Sequence, residues 1–110
     1  MVRFEQFERL GVSCAVMSDR SDGDCSRART ARDGRAAFLG NAHLKPRDLV
    51  APRQQHSTVV APVTARDRGR GASDPETAIA DADGLVTDVP GLPLGISVAD
   101  CVPVFLFAVR

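Results

Sequence analysis

The hydrophobic positions of this chain form short runs separated by polar turns that contain Gly and Pro. The apolar run at 12–17 and the β-branched run at 58–63 each predict a short strand. Between them, residues 26–42 place Ala, Phe and Leu near helical spacing, with Ser26 as a candidate N-cap. The pattern therefore indicates strands mixed with helices, and it predicts a solvated loop over the charged, Gly-containing residues 66–72.

Strand patterns return in the C-terminal third of the chain. Residues 85–87 and 94–99 are separated by a Pro- and Gly-containing turn, and in 94–99 bulky side chains alternate with small ones. The last run, 102–109, is apolar on both faces, as is typical of a strand covered on both sides. Because no later segment of this sequence would cover it, we expect a partner chain or a missing C-terminal segment to do so.

These patterns predict mixed α and β structure that is incomplete in this chain. The 110 residues fit one domain, and with only five Phe as aromatic residues its core must depend on Val, Leu and Ala.

Charge and cysteine usage limit the classes of partner. Fourteen basic and fourteen acidic residues cancel, and the basic residues have no interleaved aromatics, so we expect no nucleic-acid partner. No apolar run approaches the roughly 20 residues of a membrane helix, so we expect no membrane partner. The three cysteines form no CxxC pair and are odd in number, which favours a reducing, cytoplasmic location.

His56 and Cys101 are the residues that could carry chemistry, and three interpretations are open. They could be a structural imidazole and an inert thiol, two ligands of a zinc or copper ion, or a Cys–His hydrolase pair. His43, beside a predicted helix end, is a poor third ligand. Asp100 would point away from Cys101 if the backbone there were extended, so it would not simply orient the same His.

The sequence contains four short motifs, Gln-Gln-His at 54–56, Asp-Arg-Gly-Arg-Gly-Ala at 67–72, Ala-Asp-Gly-Leu-Val-Thr at 82–87 and Ala-Asp-Cys-Val-Pro-Val at 99–104. In order and spacing, these motifs resemble those of the YfiH/laccase-domain family. That family is also called the polyphenol oxidase or peptidoglycan editing factor family, and it includes purine nucleoside phosphorylases. One departure is Ser57, because the family has Gly after the His, and Gly tolerates unusual backbone conformations most readily.

The resemblance implies that 1–110 is the N-terminal portion of a single YfiH/laccase-like domain. It also implies the fold class of that family, α+β, with mixed β-sheet layers flanked by helices and incomplete in this chain. It further implies that His56 and Cys101 are catalytic and bind a metal, zinc or copper, with a third ligand from a later H-A-G-W-R-G motif that has no position here. The implied activity is phosphorolysis of adenosine, inosine or methylthioadenosine, together with deamination of adenosine. The implied partners are a purine nucleoside and phosphate, and an older family label is copper-dependent polyphenol oxidase.

Two other functions remain open at this stage. One is a Cys–His thiol hydrolase or deamidase, since the family fold resembles that of deamidating bacterial toxins. The other is a non-catalytic truncated product, suggested by the uncovered apolar run.

Overall fold

Residues 1–108 are described by a computed structural model, and they form two small sheets, two α-helices and several single 3₁₀ turns. The combination of strands and helices confirms the α+β class. The α-helices and strands are β1 Val2–Arg3, α1 Glu5–Glu8, β2 Val16–Met17, α2 Arg32–Asn41, β3 Val60–Pro62 and β4 Gly84–Val86.

The N-terminal sheet pairs β1 with β2 in antiparallel register, Val2 opposite Met17. Just beyond β1, the Phe4 amide donates to the carbonyl of Ala15 at 2.8 Å, and the Ala15 side chain is buried. The strand predicted over 12–17 is therefore shorter than expected, because β2 contains only its last two residues. Cys14, predicted to lie in the core, is partly buried, and this burial raises the pKa of its thiol.

The helix predicted over 26–42 begins later than the pattern indicates. A single 3₁₀ turn, Arg29–Ala31, precedes α2, and Ala31 at the N-cap offers no side-chain cap. Ser26 is therefore not the cap of this helix; its hydroxyl instead accepts from the Ala28 amide at 3.4 Å. After α2, exposed His43 adopts a left-handed backbone, φ 61°, at the helix end where it was expected.

The second sheet is parallel, with Val60, Ala61 and Pro62 of β3 opposite residues 84–86 of β4. Isolated bridges add Val50 to Leu94 and Pro52 to Ile79. The main hydrophobic core lies beside these pairings. Its buried side chains are Val50, Val63, Ile79, Ala82 and Leu92.

The segment 66–72 is a solvated loop, as its composition predicts, with Arg66, Arg68 and Arg70 exposed, but it is also attached to the domain. The Ala51 amide donates to the Arg70 carbonyl at 2.9 Å, and the Arg70 side chain donates to the carbonyls of Thr77 and Ala78 at 3.0 and 3.3 Å. Gly71, at φ +81°, lies close against Ala51. Backbone hydrogen bonds and close Gly contacts therefore hold this segment on the domain.

The strands predicted over 94–99 and 102–109 are wrong for the part that the structure describes. Leu94 alone makes a bridge, and residues 102–108 pair with no strand; Val102 and Leu106 are 84% and 91% exposed. An apolar run becomes a strand only when a neighbour accepts and donates its backbone hydrogen bonds, and none lies beside it here. Phe105 contacts Phe4, with ring centroids 5.2 Å apart, and the prediction for residue 109 lies outside the described residues.

Within residues 1–108, the helices are too short or too polar to cross a bilayer.

Candidate functional site

His56 lies at a bend in the loop that leads from the Pro52 bridge to β3. Its backbone is left-handed, with φ 58°, a region that is unfavourable for most residues with a Cβ but is enriched in His. The side chain is exposed. This conformation needs support from neighbouring groups.

That support comes from the carboxylate of Asp83, in the turn before β4. Its Oδ1 accepts from the amides of Gln55 and His56 at 3.1 and 2.9 Å. Its Oδ2 accepts from the amide and the hydroxyl of Ser57 at 2.8 and 2.6 Å. One carboxylate thus binds three consecutive backbone N–H groups around the imidazole-bearing residue.

These donors also stabilise the negative charge of Asp83. The Ser57 hydroxyl, then the Ser57 amide and the amides of Gln55 and His56, lower the pKa of the Asp83 carboxyl from 3.8 to about 2. Asp83 is therefore ionised at any pH near neutrality.

Ser57 is compatible with this loop although the family has Gly at its position. The left-handed residue is His56, and Ser57 has a negative φ, so Gly is not required there. The Ser57 hydroxyl adds one hydrogen bond to Asp83 that Gly could not make.

Gln54 joins the His56 loop to the chain that leads to Cys101. Its side-chain Nε2 donates to the Ser97 carbonyl at 2.7 Å, and its Oε1 accepts from the Ser97 amide at 2.8 Å. The carboxamide therefore pairs with Ser97 much as a neighbouring strand would. This contact lies two residues before His56 and four residues before Cys101.

Cys101 is exposed and is the last residue of a bend at residues 99–101. The backbone there is not extended, so the expectation that Asp100 points away from Cys101 loses its basis. The other two cysteines, Cys14 and Cys25, are partly buried, and burial raises the pKa of each thiol. Cys101 is thus the accessible thiol of the three.

The structure brings together the loop of His56, the turn of Asp83 and the backbone of Ser97. Neither the His56 imidazole nor the Cys101 thiol donates or accepts a hydrogen bond within residues 1–108. In the same part of the chain, no group of three or more His, Cys, Asp or Glu side chains is placed to hold a metal. The two predicted metal ligands, His56 and Cys101, are therefore exposed, and residues 1–108 place no third ligating side chain with them.

Sequence reasoning missed the roles of Asp83 and Gln54, although both lie within the quoted motifs. For Asp83 no local signal was available, because the amides from which it accepts lie 26 to 28 positions away, whereas an Asx turn uses amides close in sequence. For Gln54 there was none either, because its pairing with Ser97 depends on a contact between distant parts of the sequence.

A cavity of about 330 Å³ is lined in part by Arg27, Arg29 and Arg53. Arg29 is paired with Asp74 at 3.1 Å, and Glu76 adds a carboxylate to the wall. The positive charge of the cavity is therefore largely offset by its own neighbours.

Fold and motifs together define a laccase-like domain, and the chain belongs to this family. The model of the multi-copper polyphenol oxidoreductase laccase family matches residues 8–110. The resemblance to the YfiH/laccase-domain family, expected from the four motifs, is confirmed.

Individual relatives agree with this assignment. The chain is 44% identical over 59 residues to adenosine deaminase RL5 from an unknown prokaryotic organism and, over the same length, to the purine nucleoside phosphorylase YlmD of Geobacillus stearothermophilus. It is 43% identical over 54 residues to YlmD of Bacillus subtilis. These matches cover 54%, 54% and 49% of this chain, but only 22%, 22% and 19% of the relatives. The chain thus matches about a fifth of each relative's length.

Solved structures show the same partial correspondence. YfiH of Bacillus licheniformis matches with a TM-score of 0.63 and 32% identity, over 67% of this chain and 28% of that one. YlmD of G. stearothermophilus matches with a TM-score of 0.64 and 33% identity, over 76% of this chain and 30% of that one. The fold described above is therefore part of the YfiH/YlmD fold, as predicted.

Proposed function

We propose that this chain supplies the N-terminal part of a purine nucleoside phosphorylase site that also deaminates adenosine. The observation that carries the proposal is the match to proteins named for these two activities. The family model, which matches residues 8–110, spans both the His56 loop and its Asp83 support. The substrates would be adenosine, inosine or methylthioadenosine with phosphate, and the cellular location cytoplasmic, in keeping with three free cysteines.

The metal ligands of this site would be His56 and Cys101. A neutral imidazole nitrogen and a thiolate sulfur are the donors that zinc and copper prefer, and both side chains are exposed and free of hydrogen bonds within residues 1–108. The two ligand types therefore suit zinc or copper. A catalytic zinc usually has three protein ligands, so one more is needed. The third would come from the later H-A-G-W-R-G motif of the family.

When bound, such a metal supplies a Lewis acid for a substrate oxygen or a water molecule. The chain's own residues have simpler tasks. Asp83 holds the His56 backbone, and Gln54 fixes the distance between that loop and the Cys101 segment. In phosphorolysis of adenosine, the bond between C1′ and N9 breaks, C1′ bonds to a phosphate oxygen, and adenine leaves with a proton on N9. In deamination, water replaces the amino group at C6 and ammonia is released.

The test joins residue 110 to the part of G. stearothermophilus YlmD that follows its matched region. With adenosine and phosphate, the joined protein should form adenine and ribose 1-phosphate, and with adenosine alone it should form inosine. The variants His56→Ala and Cys101→Ser should each lose at least about 100-fold in rate, since changes even outside the ligand set cost 10- to 100-fold. A folded, zinc-containing joined protein with neither activity would overturn the proposal.

A further inference from the structure

We infer that Asp83 is the positioning residue of the His56 imidazole, acting through the loop backbone rather than by contact with substrate or metal. This inference rests on the proposed role of His56 as a metal ligand. It adds a residue to which the family motifs gave no role.

The first support is that the Asp83 carboxylate accepts a hydrogen bond from each backbone amide at the centre of the loop. The amides of Gln55, His56 and Ser57 all donate to its two carboxylate oxygens, at 2.8–3.2 Å, and to no other acceptor within residues 1–108. A loop whose three central N–H groups share one acceptor depends on that acceptor for its shape.

The second support is the backbone of His56 itself. A left-handed conformation is unfavourable for a residue with a Cβ unless the surroundings determine it, and it sets the direction in which the side chain leaves the backbone. Without Asp83, His56 would relax toward negative φ and its imidazole would leave the loop in another direction.

The third support is that Asp83 itself is anchored. Its own amide donates to the Val59 carbonyl at 3.0 Å, and the next residue, Gly84, pairs with Val60 in the parallel sheet. The carboxylate is therefore held on the sheet, not on a free turn, and it transmits that rigidity to the loop.

The experiment compares Asp83→Asn with a matched control, Asp81→Asn, in the 110-residue chain. Asp81 makes only a side-chain contact with Gln55, at 2.7 Å, and Asn tolerates its positive φ. Asn at 83 would direct its NH₂ group at one pair of donors, so those hydrogen bonds would be lost. The first readout is the set of backbone amide resonances of residues 55–57. The second uses the same substitutions in the joined protein, which supplies the third ligand, and is a titration with Zn²⁺ followed by the His56 ring resonances.

We expect Asp83→Asn to shift the three amide resonances and to weaken Zn²⁺ binding at His56 by about tenfold. In Asp81→Asn, the amide resonances of His56 and Ser57 should stay in place, and the Zn²⁺ affinity should change by no more than about twofold. If Asp83→Asn does not fold, Ser57→Ala replaces it. This variant removes the 2.6 Å hydroxyl bond to Asp83 and the 3.3 Å bond from the Val59 amide, and about a twofold weakening is expected.

Unshifted amides in Asp83→Asn would overturn the inference. So would shifted amides with unchanged Zn²⁺ affinity, because Asp83 would then be structural only. A wild-type His56 ring that ignores Zn²⁺ would overturn the metal assignment in the proposed function, and the amides would still decide whether Asp83 fixes the loop.

Discussion

The Gln54 side chain is paired with the backbone of Ser97 at two points, through Nε2 at 2.7 Å and Oε1 at 2.8 Å. This pairing occupies both the N–H and the C=O of Ser97, which are part-buried. It ties the two segments that carry the proposed ligands to each other, although those segments are far apart in sequence.

Removal of the Gln54 carboxamide should destabilise the domain. In Gln54→Ala the Ser97 donor and acceptor lose their partners together, so the free energy of unfolding should fall by about 1–3 kcal/mol. The control is Gln55→Ala, whose side chain makes one exposed contact with Asp81 and whose loss should cost less than about 0.5 kcal/mol. Urea unfolding monitored by circular dichroism measures the free energy of unfolding of both variants. Equal losses would show that the hydrogen bonds to Ser97 stabilise the domain no more than the exposed contact with Asp81.

Acidification should release the His56 loop in a defined pH window. The Asp83 pKa is about 2 in the folded protein against 3.8 ordinarily, so the carboxylate stabilises the loop fully above about pH 4. That contribution declines as the pH falls from about 4 toward 2 and the carboxylate is protonated. Amide resonances of residues 55–57, followed against pH, should report a midpoint near 2; a midpoint near 3.8 would mean that the four hydrogen bonds do not form in solution.

A side chain at Gly71 should be poorly tolerated. In Gly71→Ala the new Cβ would lie 2.7 Å from the Ala51 carbonyl oxygen, at a φ of +81°, so the free energy of unfolding should fall by at least about 2 kcal/mol. Gly91 is the matched control, since its φ is +74° but a Cβ there meets nothing within 4 Å. Gly91→Ala should lower the free energy of unfolding by only about 1 kcal/mol, the cost of a left-handed backbone for a residue with a Cβ. Similar thermal unfolding for the two variants would contradict the close packing of residues 66–72.

The exposed apolar residues near the C-terminal end should promote self-association of this chain. Val102 and Leu106 are among its most exposed large hydrophobic side chains. The double variant Val102→Lys, Leu106→Lys should therefore be more soluble and bind less of a hydrophobic dye, with little change in the free energy of unfolding. The matched control is Phe105→Lys, which loses contacts with Phe4 and Phe7 and should be less stable. A loss of stability in the double variant would show that these side chains are packed in solution.

Hydrophobic patterning predicted the existence and type of most elements but not their extents. The helix near 26–42 and the strands near 58–63 and 85–87 are present because local spacing and β-branching suffice to favour them. Residues 94–99 and 102–108 have the composition of strands but lack paired neighbours in this structure, and pairing is a property of distant segments. Composition predicted the exposed loop at 66–72 but not its attachment to the domain, because Arg70 makes hydrogen bonds to groups outside its own segment.

In the candidate site, too, the local sequence predicted one part, and contacts between distant segments determine the rest. Motif order placed this chain in a family, which the comparisons confirm. The roles of His56 and Cys101 stay predictions. The Asp83 and Gln54 contacts that shape the site join residues 26 to 43 positions apart, so no local pattern could have shown them.

The most direct test of the account asks whether Cys101 and His56 bind one metal ion. The protein used is the joined protein, which supplies the third ligand. With every cysteine except Cys101 replaced by Ser, iodoacetamide reports on Cys101 alone. Zn²⁺ should slow this alkylation, a chelator should restore it, and His56→Ala should abolish the Zn²⁺ effect. Rapid alkylation regardless of Zn²⁺ and chelator, as expected of a metal-free Cys–His nucleophile, or equal Zn²⁺ protection in His56→Ala, would contradict the account.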